Sequence, residues 1–268
     1  MITSKSNAKV KNIIDLQKHA KSRMEQKVYV VEGLKMLKEL PRKSILEVYA
    51  TAEFAEKNAR LLEALSVELV DDRVFAQMSD TRTPQGILCV AKQAEHCLDE
   101  MMELARLRVK SAMTTEAQPF LLVLEDLQDP GNVGTIFRTA EGAGIDGIIL
   151  SANCVDVYNP KVVRGAMGSI WRVPFFYADD LMEILDKLED KNITTYAAHL
   201  AGTRDYDEVD YRGGSAFLIG NEGNGLSENL AKAAKELIKI PMAGEVESLN
   251  AAIATTILIY EGARQRRR

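Results

Sequence analysis

The chain has 268 residues, of which 46% are apolar, so it is long and apolar enough for two ordinary domains. No segment approaches the roughly 20 consecutive apolar residues of a membrane helix, and residues 1–7 lack the apolar core of a signal peptide. We therefore expect a cytoplasmic protein that does not enter a membrane. The three cysteines form no CxxC pair, which fits a reducing compartment, and with three scattered histidines they predict no metal site.

The formal net charge of −5 argues against nucleic acid as a partner, but the cations are unevenly distributed. Residues 1–43 carry eleven Lys or Arg against four acids, and the chain ends in Arg264-Gln-Arg-Arg-Arg268. Basic ends on an acidic body predict local contacts with anions. A solvated helix face and a frayed tail would give the same pattern.

The first third of the chain alternates between helical and strand patterns. The predicted elements are, in chain order, a basic amphipathic helix over residues 8–24, a strand at Val28–Val31, a helix ending at Leu40, a strand at Glu47–Ala50, a helix over 53–65, and strands at Val67–Val70 and Gly86–Ala91. We expect a small α/β domain over residues 1–93. Residues 94–118 predict a partly helical linker.

A second α/β domain is expected over residues 119–268. Its predicted strands are Phe120–Leu124, Gly147–Leu150, Ile193–Ala198, Ala216–Ile219 and Leu237–Ile240. Continuous apolar strands that alternate with helices predict a mostly parallel sheet covered on both faces.

The first segment whose residues could take part in binding or catalysis is residues 124–140, where a strand enters a Pro-Gly turn and then a helix. Its core positions are predicted to be Val133, Ile136, Phe137 and Ala140. Gly131, Gly134 and Arg138 fall on another stripe, and Arg138 should lean back toward Asn132. An amide and a guanidinium at the carboxyl end of a strand predict a ligand site, the alternative being an ordinary surface arginine.

The second segment is residues 217–230, in which a buried strand meets a loop containing Gly220, Gly223 and Gly225. The spacing GxxGxG is not the dinucleotide fingerprint GxGxxG, and Glu222 would repel a phosphate. Such a loop suits close approach of the backbone to a flat, uncharged group, although an ordinary glycine-rich turn would look the same. Ser227 is the predicted N-cap of the next helix.

The third segment is residues 238–252, where a strand ends at Pro241 and a loop leads to the final helix. Ser248 is the predicted cap, and the free backbone groups of the loop could serve an adenine or a ribose. The apolar face of the helix is predicted to contain Leu249, Ile253, Thr256, Ile257 and Tyr260. A capped C-terminal helix without a ligand remains the alternative.

Taken together and in this order, the three segments closely resemble the signature motifs of the SpoU-type (TrmH-like) RNA ribose 2′-O-methyltransferases of the SPOUT superfamily. The motifs stand as Asn132-Val-Gly-Thr-Ile-Phe-Arg138, Ile219-Gly-Asn-Glu-Gly-Asn-Gly225 and Ile240-Pro-Met with Ser248-Leu-Asn250, within about residues 119–265. Residues 1–93 resemble the ribosomal-protein-like α/β module that often precedes this domain and binds the substrate.

The resemblance implies a fold and a donor that composition alone does not predict. The mostly parallel C-terminal sheet should carry a deep trefoil knot, hold S-adenosylmethionine in a bent shape and form a homodimer. The implied cofactor contacts are Leu200, Gly220, Asn221, Gly223, Ile240, Met242, Ser248 and Leu249. The implied catalytic residues are Arg138, Asn132, Glu222, Ser248 and Asn250.

In the family, the arginine that matches Arg138 is assigned to the ribose hydroxyl. Since arginine is a poor base, it could instead fix the neighbouring phosphate and stabilise a developing alkoxide, and the sequence leaves both roles open. The N-terminal domain would select the RNA, and ribosomal RNA is expected rather than transfer RNA. Its predicted phosphate contacts are Lys9, Lys11, Lys18, Lys21 and Arg23.

Two other classes of protein share parts of this pattern. A nicotinamide-dependent oxidoreductase would need GxGxxG after the first strand and an acid after the second, where Ser151 stands. A non-catalytic RNA-binding assembly factor with the same fold is disfavoured because Asn132, Arg138, Glu222 and Asn250 are all present.

Overall fold

A computed structural model describes residues 1–111, 118–246 and 248–267, and in it the chain forms two units. One contains Met1–Ala94 together with Asp156–Trp171, and the other contains Glu95–Val155 together with Arg172–Arg268. We call them the N-terminal and the C-terminal unit. None of the described helices is both long and apolar enough to cross a membrane.

The N-terminal unit is built on a four-stranded mixed sheet in the order β1-β4-β2-β3. Its elements up to residue 92 are α1 (Ala8–Lys18), α2 (Ala20–Gln26), β1 (Val28–Glu32), α3 (Leu34–Glu39), a 3-10 turn (Arg42–Ser44), β2 (Ile45–Ala50), α4 (Ala52–Lys57), α5 (Ala59–Leu62), β3 (Val67–Leu69), α6 (Asp72–Met78) and β4 (Ile87–Lys92). Strand β4 is antiparallel to both β1 and β2, whereas β2 and β3 are parallel. The predicted α/β character of this region is confirmed.

Two of the predicted helices in this unit are interrupted. The basic helix breaks at His19, whose backbone is extended, and the helix predicted over residues 53–65 breaks at Asn58. Helix α6 was missed, although Asp71 caps it by accepting a hydrogen bond from the N–H of Arg73 at 3.0 Å. Seven residues give too short a pattern to be recognised by period alone.

Arg23 does not lie on the surface, and its prediction as a phosphate contact is wrong. Its side chain is 2% exposed and its Nε donates to Asp156 at 2.6 Å, while Nη1 donates to the carbonyl of Leu16 at 2.6 Å. A buried guanidinium needs such partners, because an unpaired charge in the interior is strongly unfavourable. Its carboxylate partner is supplied by a part of the chain 133 positions away.

The remaining predicted phosphate contacts are exposed but differ in their surroundings. Lys9 pairs with Glu68, and Lys21 lies 3.8 Å from Glu25. Lys11 and Lys18 have no ion pair with any residue that the structure describes.

The C-terminal unit contains a seven-stranded sheet in the order β7-β6-β5-β10-β8-β11-β9, whose recorded strand pairs are all parallel. The elements after residue 92 are α7 (Leu98–Ser111), β5 (Phe120–Leu124), α8 (Pro130–Ala143), β6 (Gly147–Ser151), α9 (Pro160–Ala166), a 3-10 turn (Ser169–Trp171), β7 (Phe175–Ala178), α10 (Leu181–Asp190), β8 (Thr194–Ala198), β9 (Arg204–Asp205), a 3-10 turn (Tyr206–Glu208), β10 (Ser215–Ile219), α11 (Glu228–Ala233), β11 (Glu236–Lys239) and α12 (Ala251–Arg266). The predicted mostly parallel sheet is confirmed.

The core of this unit lies on the buried strands β5, β6 and β10, in which every residue is buried. The predicted core positions of α8, namely Val133, Ile136, Phe137 and Ala140, are confirmed as buried. Strands β7 and β9 were not predicted, nor was helix α9, which belongs to the N-terminal unit. Residues 98–111 of the predicted linker form α7, whose Leu98 and Met101 pack into the core of the sheet, and residues 112–117 lie outside the described part.

The basic end of the chain packs against the rest of the C-terminal unit as far as Arg266. Arg264 pairs with Glu261 at 2.6 Å. The guanidinium of Arg266 lies 4.4 Å above the ring of Phe120 and donates to the carbonyl of Gln118 at 2.6 Å. Burial lowers the pKa of Arg266 to about 10. For these two residues a frayed tail is therefore the wrong interpretation.

The ion pair between Arg23 and Asp156 gives a direct test of the N-terminal unit. Asp156→Ala leaves the Arg23 guanidinium buried without its counter-charge, so we expect the free energy of unfolding in urea to fall by about 3–5 kcal/mol. Lys57→Gln is the control, because it breaks an exposed pair with Glu53 and should change stability by less than about 1 kcal/mol. Equal effects of the two substitutions would contradict the role given to the buried pair.

Candidate active site

The three predicted motifs meet at one edge of the parallel sheet. Strands β5, β10, β8 and β11 are successive neighbours in the sheet order, so their carboxyl ends point the same way. The segment that follows β5 contains Asn132, the loop after β10 begins at Gly220, and the loop after β11 begins at Ile240. Ligands of open α/β sheets bind at this edge.

A chain of side-chain hydrogen bonds joins one residue from each motif. Asn132 Nδ2 donates to Glu222 Oε1 at 3.0 Å, and Asn250 Nδ2 donates to Asn132 Oδ1 at 2.9 Å. The three residues are separated by at least 28 positions in the sequence, so the contacts fix the relative positions of three segments, namely the starts of α8 and α12 and the loop after β10. We call this set the amide–carboxylate network.

Glu222 lies at the amino end of α8. Its carboxylate accepts hydrogen bonds from the backbone N–H groups of Gln128 at 3.2 Å and Asp129 at 3.1 Å, just before the helix begins. An anion is stabilised there by free N–H groups and by the helix dipole. Partial burial raises the pKa of Glu222, but the hydrogen bonds from Asn132 and the backbone outweigh that effect and hold the pKa below its ordinary value.

The loop after β10 is held closed by Asn221 and Gly220. Asn221 and Gly225 exchange two backbone hydrogen bonds at 3.0 and 2.9 Å, while Asn221 Oδ1 accepts from the N–H of Gly223 at 2.8 Å. A Cβ on Gly220 would lie 2.1 Å from the backbone of Gly225 and Leu226. Glycine is therefore required at position 220, because two backbone segments touch there.

Two residues that the sequence did not single out support this loop. Asp126 has a positive φ of 54°, accepts from Ser151 Oγ at 2.6 Å, and its carbonyl accepts from Asn221 Nδ2 at 2.7 Å. Glu125 accepts from Ser227 Oγ at 2.6 Å and from its N–H at 2.7 Å. The sequence feature that could have identified both residues is that two acids, Glu125 and Asp126, directly follow a buried strand.

The start of the final helix differs from the prediction. Asn250 caps α12 by accepting from the N–H groups of Ala252 at 2.9 Å and Ile253 at 3.3 Å, so the prediction of Ser248 as the cap is wrong. Both residue types are strong caps, and Asn250 is favoured because its amide also reaches Asn132. Ser248 is exposed, whereas Ser227 is confirmed as the cap of α11, with its Oγ accepting from the N–H of Leu230 at 3.3 Å.

The predicted cofactor contacts with apolar side chains lie at the same edge, in the two loops that follow β8 and β11. Leu200 follows β8 and is 72% exposed, while Ile240, Met242 and Leu249 are half-buried. Glu247, between Met242 and Ser248 in the chain, lies outside the described residues.

Arg138 stands on α8, two turns after the cap. It is exposed and forms no hydrogen bond or ion pair with any residue in the described part of the chain. Its guanidinium is consequently available to an incoming anion or hydroxyl.

The three motifs thus meet at the carboxyl edge of a parallel sheet, the edge at which enzymes with open α/β sheets bind their ligands, and Arg138 on α8 has no partner among the described residues. Residues 119–260 match the SpoU rRNA Methylase family, and residues 7–89 match the MRM3-like substrate binding domain. The chain belongs to the SpoU rRNA Methylase family. The predicted family, fold class and enzyme class, an RNA methyltransferase, are confirmed.

Full-length relatives and solved structures support this assignment. An uncharacterized tRNA/rRNA methyltransferase of Synechocystis sp. is 33% identical over 98% of this chain and 93% of its own. The 23S rRNA (guanosine(2553)-2′-O)-methyltransferase RlmP of Bacillus subtilis is 28% identical over 97% of each chain. The crystal structure of an AdoMet-bound rRNA methyltransferase from Sinorhizobium meliloti is 31% identical, with a TM-score of 0.82 over 98% of this chain and 97% of that chain.

The state of Glu222 can be measured by carbon-detected NMR titration of its carboxyl group. We expect a pKa below the ordinary value of 4.5, so the network contributes stability that is complete above that value and is lost as the pH falls through the lowered pKa. Asn132→Ala should raise the pKa of Glu222. Asn224→Ala, which removes no hydrogen bond to the carboxylate, should leave it unchanged, and a pKa at or above 4.5 in the unaltered protein would disprove the network.

Proposed function

We propose that this protein transfers the methyl group of S-adenosylmethionine to a ribose 2′-hydroxyl of ribosomal RNA. The observation that carries the proposal is the amide–carboxylate network, together with Arg138, which lies on the same helix as Asn132 and has no partner among the described residues. The RlmP relative, which covers nearly the whole chain, supports ribosomal rather than transfer RNA as the acceptor.

The residues present fit S-adenosylmethionine. Gly220 packs against the backbone of Gly225 and Leu226 and so closes the loop after β10. Gly223 and Gly225 leave that loop without side chains at two further positions, so that its backbone can face a flat base. We propose that Leu200, Ile240, Met242 and Leu249 supply apolar contacts, and that Asn221, Gly223 and Ser248 line the same site. Bound there, the cofactor supplies a methyl group that its sulfonium already activates.

The protein's own task is then to hold the acceptor ribose. Guanidinium groups stay protonated in proteins, so we assign Arg138 to the neighbouring phosphate and to the negative charge that develops on the hydroxyl oxygen. Asn132 would orient the ribose. The Glu222 carboxylate already accepts three hydrogen bonds, which suits it to fix Asn132 rather than to take up a proton. Asn250 would hold Asn132 from its other side.

The final helix supports the predicted homodimer. The residues of α12 that are buried in the core do not include the apolar face predicted from the sequence. On that face Ile253 is 54% exposed and Tyr260 is 41% exposed, with Thr256 and Ile257 half-buried between them. An apolar stripe of this kind along α12, which begins at the carboxyl edge of the sheet, suits burial against a second copy of the chain. The trefoil knot and the cytoplasmic location stay predictions, the latter supported by three free cysteines.

Arg138→Ala tests whether Arg138 acts in methyl transfer and not in the binding of S-adenosylmethionine. We expect loss of methyl transfer by at least about 100-fold, because an oxyanion-stabilising donor is removed. The affinity for S-adenosylmethionine in calorimetry should change little. Transfer is measured with tritiated donor and ribosomal RNA from cells that lack the protein.

The matched control for this experiment is Arg212→Ala. Arg212 is also exposed, but it precedes β10 at the opposite edge of the sheet and pairs with Asp210. It should keep full activity. A parallel loss of donor binding and transfer in Arg138→Ala would refute the assignment, and donor binding without any transfer by the unaltered chain would favour the non-catalytic assembly factor.

Ile253→Asp tests the dimer. The substitution places a charge in the proposed interface on an exposed position, so sedimentation should change from dimer to monomer while the helical circular dichroism is retained. Lys187→Asp on the exposed side of α10 is the control and should leave the sedimentation unchanged. A monomeric unaltered protein, or a dimer that persists in the Ile253→Asp variant, would contradict the proposed interface.

A further inference from the structure

The N-terminal unit has a second basic region besides α1. Helix α3 and the 3-10 turn after it carry Lys35, Lys38, Arg42 and Lys43 within nine residues, all of them exposed. None of the four has a side-chain hydrogen bond or an ion pair with a residue that the structure describes. Helix α1, by comparison, offers two such cations, Lys11 and Lys18.

The position of Lys35 is not explained by the stability of α3. Lys35 stands in the first turn, where the helix dipole favours an acid instead. Lys35 and Lys38 are three residues apart, so two like charges share one face and repel each other. Lys38 stands in the last turn, where the dipole favours a cation, so the unfavourable features are the place of Lys35 and its repulsion of Lys38. These two features point to a function for the charges.

The loop before β4 adds a fifth cation, Arg82, to the same region. The carboxylate of Glu32 accepts from Ser79 Oγ at 2.5 Å and Thr81 Oγ1 at 2.7 Å, and from the N–H of Asp80 at 3.2 Å. These bonds fix the loop before β4 against the end of β1.

The other end of this loop is tied to α3 itself. Gln85 Oε1 accepts from the N–H of Leu34 at 2.9 Å, which places the loop beside the first turn of the helix. Arg82, between the two anchors, is exposed and has no ion pair within the described residues. The loop is thus held in place by its own hydrogen bonds while its guanidinium stays available.

We propose that Lys35, Lys38, Arg42, Lys43 and Arg82 form the main phosphate-binding surface for the RNA substrate, in place of α1. We call this set the basic strip. Exposed lysines and arginines on a fixed scaffold suit the regularly spaced phosphates of a folded RNA, whose backbone contacts set affinity and register. The inference rests on the proposed function, since it names the surface by which the same enzyme holds its RNA.

Salt-dependent binding of a fluorescein-labelled RNA hairpin of arbitrary sequence tests the basic strip. The strip variant replaces all five residues by Gln. The matched control replaces five other exposed cations of the same unit that have no side-chain partner among the described residues, namely Lys5, Lys11, Lys18, Arg60 and Arg73. Both variants lose the same net charge, and the two α1 cations fall in the control.

We expect the slope of log Kd against log salt to fall by about 0.7–0.9 for each phosphate that the strip variant no longer binds, and to stay near the unaltered value in the control. An equal or larger fall in the control would overturn the proposal. Thermal melting and calorimetry with S-adenosylmethionine should be unchanged in both variants. If the variant with five substitutions melts at a lower temperature, a double variant (Lys38→Gln with Arg82→Gln) is compared by the same criterion with a second double variant (Lys11→Gln with Lys18→Gln).

Failure of the strip is distinguishable from failure of the proposed function. Unaltered protein that transfers methyl groups while the strip variant keeps its full salt slope would reject the strip alone. Protein that binds the hairpin through the strip but transfers no methyl group would reject the proposed function alone.

Discussion

The site depends on one carboxylate held at the amino end of a helix. Glu222 accepts from two backbone N–H groups directly before α8, and the same carboxylate holds the amide of Asn132. Asn250, which itself starts α12, completes the chain of contacts. Two helix ends and one glycine loop are therefore fixed by a single set of hydrogen bonds, and the guanidinium of Arg138 is presented from the helix so anchored. Because the network is ionic at one point, its stability is tied to the ionised state of Glu222.

The parallel sheet explains why such distant segments can meet. Strands β5, β10, β8 and β11 are adjacent in space although they are not consecutive in the chain, so four loops emerge at one edge. Buried strands set these positions through the core, while the loops carry the polar groups. Fixed strands with variable loops are the usual basis of function in open α/β sheets.

The sequence was most informative where an apolar pattern was long or where a motif was shared with a known family. The buried strands, the core face of α8 and the family assignment could be predicted because apolar runs and glycine spacing are local features. The burial of Arg23 could not, because its partner Asp156 lies far along the chain. The cap at Asn250 could not be told from Ser248, since both residue types cap helices equally well and only the contact with Asn132 separates them. The short strand β7 and helix α9 gave too few residues for a period to appear.

Residues Asp156–Trp171 belong to the N-terminal unit although they connect two adjacent strands of the other sheet. They contribute buried apolar residues, Val162 and Ile170 among them, and the counter-ion of Arg23. The two units are therefore interleaved in the covalent chain rather than strung one after the other. A fragment of the chain that ends anywhere between residues 95 and 155 would lack part of the interior of the N-terminal unit. Gene fragments that end near residue 94 are consequently poor starting points for isolating the RNA-selecting half, and grafting that half onto another enzyme would require carrying the later segment along with it.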